Sequence, residues 1–425
     1  TLKVAVNEGI VEGFKVKGNV KTKDYVVTRE MKLKKGEPFN AKAARRSMQR
    51  VYNLGYFEDV NIKLNPGREP NGVEVEISVV EMNTGTFGIG AGYSNADGFV
   101  GMVSIGDKNF RGIGDKINLR WEFGGEDNKN YDFSYTRPWL DDKETSATIN
   151  LYDITNEYAD YNIDGDEIAR YDKKRRGQEI TFSRRTHNEF ISNYITIKNR
   201  DDIYKGEADG YEGDENQYYE DKFNQSSKYE SWMPKTAAER RKENFGVTRS
   251  ITFGRVYDSR DNIYDPHEGK RIGYSVEWAG GMGGDFDFTK WTADWRYYFR
   301  AGGESVWALN LGAGYASGDM PLSQRFTMGG SDTLRGYEDD QFRGNSMLKA
   351  TLEYRFPIVK KVQGVLFTDN GYAWDKRHED EFDMGLLKNS YGVGLRINSP
   401  LGPVKLDYGY GEDGGKFHFS FGGQF

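Results

Sequence analysis

The sequence predicts a membrane β-barrel of about 16 antiparallel strands, preceded by a small α+β domain. Three observations lead there. From residue 84 onward, short segments alternate apolar and polar residues with a period of two, as strands do when their two faces meet different surroundings. Residues 10–82 follow another rhythm, in the order strand, helix, helix, strand, strand. The chain also holds 28 Tyr, 25 Phe and 8 Trp among its 425 residues, an aromatic load that membrane barrels place in belts at both interfaces.

Composition narrows the alternatives. Only 36% of residues are hydrophobic, 29% are charged and the mean hydropathy is -0.79. No apolar run reaches the ~18 residues that a membrane helix needs, so a helical membrane protein is excluded, whereas a barrel keeps a low mean hydropathy because its strands alternate. Cysteine is absent, which removes disulfides, thiol chemistry and Cys-based metal sites. Net charge is -7 and unevenly shared: residues 1–82 carry 15 basic and 11 acidic side chains, the remainder 44 and 55. That asymmetry argues for two regions with different surroundings and against a nucleic-acid partner. His187, His267, His378 and His418 are scattered without ligand spacing or a nucleophile motif, so no enzyme, metal or cofactor is expected. Gly88, Gly90 and Gly92 superficially suggest a phosphate loop but lack its strand-then-helix setting.

Taken in order, residues 1–9 alternate like a remnant strand of a preceding domain, and we expect the chain to be a fragment lacking its signal and earlier domains. In the 10–82 domain, Phe14 and Val16 alternate with Lys15 and Lys17 as a first strand, and a short helix is expected from about Asp24 to Met31. A second helix follows, capped by Asn40, with Ala44, Met48, Val51 and Tyr52 on one face. Val60, Ile62 and Leu64 form the next strand. The last, Val73, Val75, Ile77 and Val79, alternates with Glu74, Glu76 and Ser78.

Residues 83–425 form the barrel. In 116–123, Ile117, Leu119, Trp121 and Phe123 oppose Lys116, Asn118, Arg120 and Glu122. In 404–410, Val404, Leu406, Tyr408 and Tyr410 oppose Lys405, Asp407 and Gly409. Charges opposite an aromatic face require the charged face to look into water or a plug. Long polar loops are expected at about 154–177, 200–245, 316–345 and 373–389, with short turns between, apart from 256–269. The connections thus alternate long and short, which gathers the long loops at the end of the barrel away from the small domain.

Within the third loop lies Gly329-Gly330-Ser331-Asp332-Thr333-Leu334-Arg335-Gly336-Tyr337. This resembles the (V/L)RG(F/Y) loop motif of the BamA-like family of outer-membrane barrels. Tyr52-Asn53-Leu54-Gly55-Tyr56-Phe57 is similar to the helix-to-strand signature of POTRA domains, the periplasmic modules that precede such barrels. Segments at 107–115, 135–139, 257–262, 367–371 and 398–403 match further family turns in order. The resemblance implies that Arg335, on a loop folded into the barrel, meets acids at Glu353 and Asp369. Alternation supports an inward Glu353, since Leu352, Tyr354 and Phe356 take the apolar face. At Asp369 it is silent, because both faces of 362–368 are apolar.

The last strand, with Phe417, Phe419, Phe421 and Phe425 on one parity, resembles the family's β-signal. The first, 86–93, places Phe87 and Ile89 outward and Gly88, Gly90 and Gly92 toward the lumen. Glycine weakens a strand, and the family proposal of a lateral gate sits at this seam. The family implies assembly of barrel proteins, with unfolded outer-membrane proteins as substrates and lipids and periplasmic lipoproteins as partners, without nucleotide hydrolysis. A protein-translocating pore of the TamA or two-partner secretion type is the alternative.

Overall fold

The computed structural model describes residues 9–94, 98–124, 128–161, 167–207, 242, 245–263, 265–374, 384–399, 402–412 and 414–421. The remnant strand expected at 1–9, the centre of the 200–245 loop and Phe425 therefore lie essentially outside the described residues. The chain divides into two compact units: Thr1–Gly90 with Met102–Trp121 and Phe133–Pro138, and Ala91–Gly101 with Glu122–Asp132 and Trp139–Phe425.

The first unit holds the small domain, with β1 (Ile10–Lys17), α1 (Asp24–Thr28), α2 (Ala41–Tyr52), β2 (Phe57–Pro66) and β3 (Gly72–Glu81). Its sheet runs β1-β3-β2, with β1 parallel and β2 antiparallel to β3. Asn40 caps α2 by accepting from the Lys42 and Ala43 amides, satisfying two of the donors that a helix start leaves free. Val11, Val26, Val27, Val51, Tyr56 and Ile77 are fully buried between helices and sheet. Two details differ from expectation. Helix α1 stops at Thr28, and Tyr52, placed on the buried face by spacing, is 45% exposed, because Ser47 and Arg50 turn inward in its stead. Arg50 is buried against Glu30 at 2.7 Å.

Sixteen strands form the large sheet. They are β4 (Gly85–Ser94), β5 (Gly98–Phe110), β6 (Asp115–Gly124), β7 (Asn128–Arg137), β8 (Thr145–Tyr161), β9 (Glu167–Arg185), β10 (Ile191–Glu207) and β11 (Gly246–Asp258), followed by β12 (Gly269–Gly284), β13 (Phe288–Gly302) and β14 (Ser305–Gly318). After two short strands, β15 (Phe326–Met328) and β16 (Phe342–Gly344), come β17 (Ser346–Val359), β18 (Val362–Trp374), β19 (Lys388–Ser399), β20 (Gly402–Gly411) and β21 (Gly414–Phe421). Each strand follows its sequence neighbour from β4 to β21, with β14 pairing β17 across the motif loop. The order ends at β4 and β21, and among the described residues no ladder joins those two. Outward residues form the expected aromatic surface, for example Trp291 at 40%, Trp295 at 45% and Phe417 at 65% exposure.

The loop expected at 154–177 is instead mostly strand. Strands β8 and β9 pair from Thr145↔Arg184 to Tyr161↔Glu167. Ala147, Ile149, Leu151, Ile180 and Phe182 keep the apolar face of its lower half, but the outer part, 153–161 with 167–176, is mostly polar at both parities, with Lys174 bridging Asp153 at 2.9 Å, and carries no hydrophobic period. The 316–345 connection likewise contains β15 and β16, paired antiparallel.

In the first unit the turn between β5 and β6 packs on the small domain. Lys21 Nζ meets Asp107 at 2.9 Å, Asn109 donates to the Thr22 hydroxyl at 2.8 Å, the Lys23 amide donates to the Gly112 carbonyl at 2.8 Å, and the Tyr56 hydroxyl donates to that of Gly114. Gly112 has φ +74°, and a Cβ there would lie 1.9 Å from the Lys21 carbonyl oxygen, so only glycine fits. The Glu81 carboxylate accepts the amides of Val20, Lys21 and Thr22 at 2.7–3.0 Å. Partial burial pulls its pKa upward, but the donors around it win and hold it below the ordinary carboxylate value.

Candidate functional site

The site lies where the motif loop meets the inward faces of β17, β18 and β20. A residue pointing inward from a strand brings its neighbours two positions away with it. On β17 these are Glu353 and Arg355, on β18 Phe367 and Asp369, on β19 Arg396 and on β20 Asp407. Arg335 enters among them, 4% exposed. Its Nε and Nη2 donate to the two oxygens of Asp369 at 2.7 and 2.8 Å, and its Nη1 donates to Glu353 at 2.8 Å. The Arg335 amide also donates to Asp369, and the guanidinium lies over the Phe367 ring at 3.4 Å. The two-pronged contact to Asp369 is the geometry that only an arginine fork makes.

The network extends further. Glu353 also accepts from Arg355 at 2.8 Å and from Arg396 at 3.4 Å, while Arg396 bridges Asp407 at 2.6 Å. Asp407 stands 3.6 Å from Arg335. Three guanidiniums therefore face three carboxylates, all at most 6% exposed, and their formal charges cancel. Such a balanced set costs desolvation, so its value is positional: it holds the loop in one place. A polar cavity of about 380 Å³ adjoins it, lined among others by Lys349, Thr351 and Asn310.

Backbone packing fixes the rest of the motif. Gly336 has φ +91°, and a Cβ on it would lie 2.8 Å from the Gly411 nitrogen; a Cβ on Gly409 would lie 2.6 Å from the Gly336 nitrogen. Glycines on both chains let the loop lie against β20. Leu334 and Tyr337 are fully buried, with Met328, Phe342 and Tyr372, each worth about 1.5–3 kcal/mol by burial alone. The Tyr337 hydroxyl donates to the Asn389 carbonyl and accepts from the Glu412 amide.

The four motif residues, Glu353 and Asp369 thus come together. The seam residues do not join them: Phe87, Ile89, Phe417 and Phe419 are exposed on the outer face, and the side chain of Phe421 and all of Phe425 lie outside the described residues. A Cβ on Gly88 would meet only the Ser104 hydroxyl. Sequence reasoning missed Asp407, Arg396, Gly409 and Gly411. Alternation over 404–410 had already put Asp407 and Gly409 on one inward face, which was the available signal.

Residues 109–425 match the model described as the Omp85 superfamily domain. The chain belongs to the Omp85 superfamily. Residues 10–82 match the POTRA model, described as a surface antigen variable number repeat. Over 447 aligned residues this Omp85 chain is 30% identical to outer membrane protein assembly factor BamA of Nitratidesulfovibrio vulgaris (strain Hildenborough), covering 99% of the chain and 51% of that protein. The chain spans about half the length of the curated relatives it matches.

Among solved structures, BamA from Haemophilus ducreyi lacking POTRA domains 1–3 aligns with TM-score 0.58 at 20% identity, over 97% of this chain and 83% of that one. CdiB from Escherichia coli aligns with TM-score 0.65 at 13% identity, over 97% and 76%. Both speak for the fold alone. As an Omp85 barrel, the chain belongs in the bacterial outer membrane, with its POTRA domain in the periplasm.

Proposed function

We propose that this chain is the barrel and adjoining POTRA domain of a factor that folds β-barrel proteins and inserts them into the outer membrane. The observation that carries the reading is similarity to a BamA assembly factor along 99% of the chain. Unfolded outer-membrane proteins are then the substrates, surrounding lipids and periplasmic lipoproteins the partners, and no nucleotide or cofactor is consumed.

The proposed route runs through the seam between β4 and β21. Phe87 and Ile89 face lipid, while Gly88, Gly90 and Gly92 give β4 little side chain to pack against a neighbour. The C-terminal aromatic strand supplies the other edge. A weak closing pair that opens sideways exposes unpaired amides and carbonyls on which an incoming strand folds. In this scheme Leu334, Arg335, Gly336 and Tyr337, anchored on Glu353 and Asp369, keep the barrel wall opposite the lumen in register while the seam works. The alternative, a protein-translocating pore, draws on the likeness to CdiB, which at 13% identity concerns fold alone.

The test is reconstitution. The chain in liposomes should make an unfolded outer-membrane barrel protein fold into the bilayer faster than into empty liposomes. Equal rates would refute the proposal, and passage of an extended chain into the vesicle interior without folding would favour the pore.

A further inference from the structure

The described part of β21 does more than border the seam. Two of its inward residues reach the motif loop. The Gly336 amide donates to His418 Nε2 at 2.9 Å, and Lys416 Nζ bridges Glu338 at 2.5 Å. A backbone N–H only donates, so Nε2 must accept and the imidazole carries its proton on Nδ1. Both contacts cross over β20, whose Gly409 and Gly411 leave the loop backbone room to approach the last strand. Tyr337 adds a third tie at the same end through the Glu412 amide, where β20 turns toward β21.

We infer that the motif loop is a latch on the last strand, with His418 and Lys416 as its positioning residues. Arg335 is fixed to β17 and β18 through Glu353 and Asp369, and the next residues of the same loop hold β21. The chain of contacts therefore runs from the middle of the wall to the strand at the end of the sheet. The part of β21 nearest Gly414 is held by groups other than a β4 ladder, and it stays on β20 for as long as the loop stays seated. Release of the loop removes these ties at once. That release admits a substrate strand rests on the function proposed above; that the loop restrains β21 does not.

The test uses the whole chain folded in liposomes without substrate and reads amide exchange of 414–421 by mass spectrometry, with the β13–β14 ladder as internal control. Replacing His418→Leu removes the acceptor, and β21 exchange should rise about tenfold, the worth of one part-buried hydrogen bond. His418→Gln, which puts a carbonyl oxygen near the same place, should restore it. Glu338→Lys and Lys416→Glu should each raise exchange about threefold, since this pair is partly solvated, and the combined charge swap should return it toward the parent value. Unchanged β21 exchange in the single variants, or a swap as fast as the singles multiplied together, would overturn the latch. A rise spread equally over the β13–β14 ladder would also overturn it, as general loosening.

Discussion

Replacing Arg335→Met should unseat the motif loop while leaving the barrel folded. Among the described contacts, Asp369 loses its only guanidinium, while Glu353 keeps Arg355 at 2.8 Å and Arg396 at 3.4 Å. Asp369 is fully buried, and breaking a buried ion pair from one side costs about 3–5 kcal/mol. Loop burial at Leu334 and Tyr337 offers about 1.5–3 kcal/mol each against it, and leaving the seat lets water reach the carboxylate. The ladders from β4 to β20 do not depend on the loop, so the cost falls on its seat and, through the latch inferred above, on β21. Because the chain has no cysteine, a single Leu334→Cys reports this directly: the position is fully buried when the loop is seated and becomes reactive toward a thiol reagent when it leaves. Labelling should accelerate at least about a hundredfold in the Arg335→Met background. Adding Asp369→Leu, which removes the stranded charge, should recover most of the protection. A change under about threefold, or a double variant as reactive as the single, would refute the argument that the ion network seats the loop.

Other expectations use similar readouts. Gly409→Ala should expose Leu334→Cys at a cost of about 1–3 kcal/mol, because the added methyl meets backbone at 2.6 Å, whereas Gly88→Ala should not, since its methyl meets only a hydroxyl that rotates. For Glu81 the folded pKa lies below the unfolded one, so its contribution is complete above the ordinary carboxylate value and is lost as pH falls through the folded value. Amide exchange at 107–115, corrected for intrinsic rate, should therefore rise on acidification below about pH 4, and Glu81→Gln should flatten that dependence. Cysteines at Gly210 and Asn65 should label oppositely in intact cells, the first reached by an impermeant reagent and the second not; the reverse would invert the topology.

How legible the molecule was depended on whether a residue's environment repeats along the chain. The sixteen strands and the POTRA order follow from local periods of two and of 3.6. Glu353 was legible because Leu352, Tyr354 and Phe356 mark the outer face around it. Asp369 was not, since its strand is apolar on both faces for two separate reasons: Leu366 is 49% exposed on the outer surface, whereas Val365 and Phe367, at 1% and 5%, are buried inward. The outer part of the β8–β9 hairpin, beyond Tyr152 and Gly177, failed the opposite way, being mostly polar at both parities. Tyr52 was misplaced because Arg50 finds a partner in Glu30 inside the domain, which outweighs the hydrophobic rule. The contacts of His418 and Lys416 join positions about 80 residues apart and leave no local pattern.

The function proposed above requires the seam between β4 and β21 to open. Cysteine pairs scanned from Ile89 across β21 will yield one in register that oxidises to a disulfide. Rates of substrate folding into liposomes are then compared with that pair oxidised and reduced. Oxidation should abolish the acceleration while the barrel stays folded, and reduction should restore it; a locked barrel that accelerates folding as well as the reduced one would contradict the account and return the activity to the POTRA domain or the lumen.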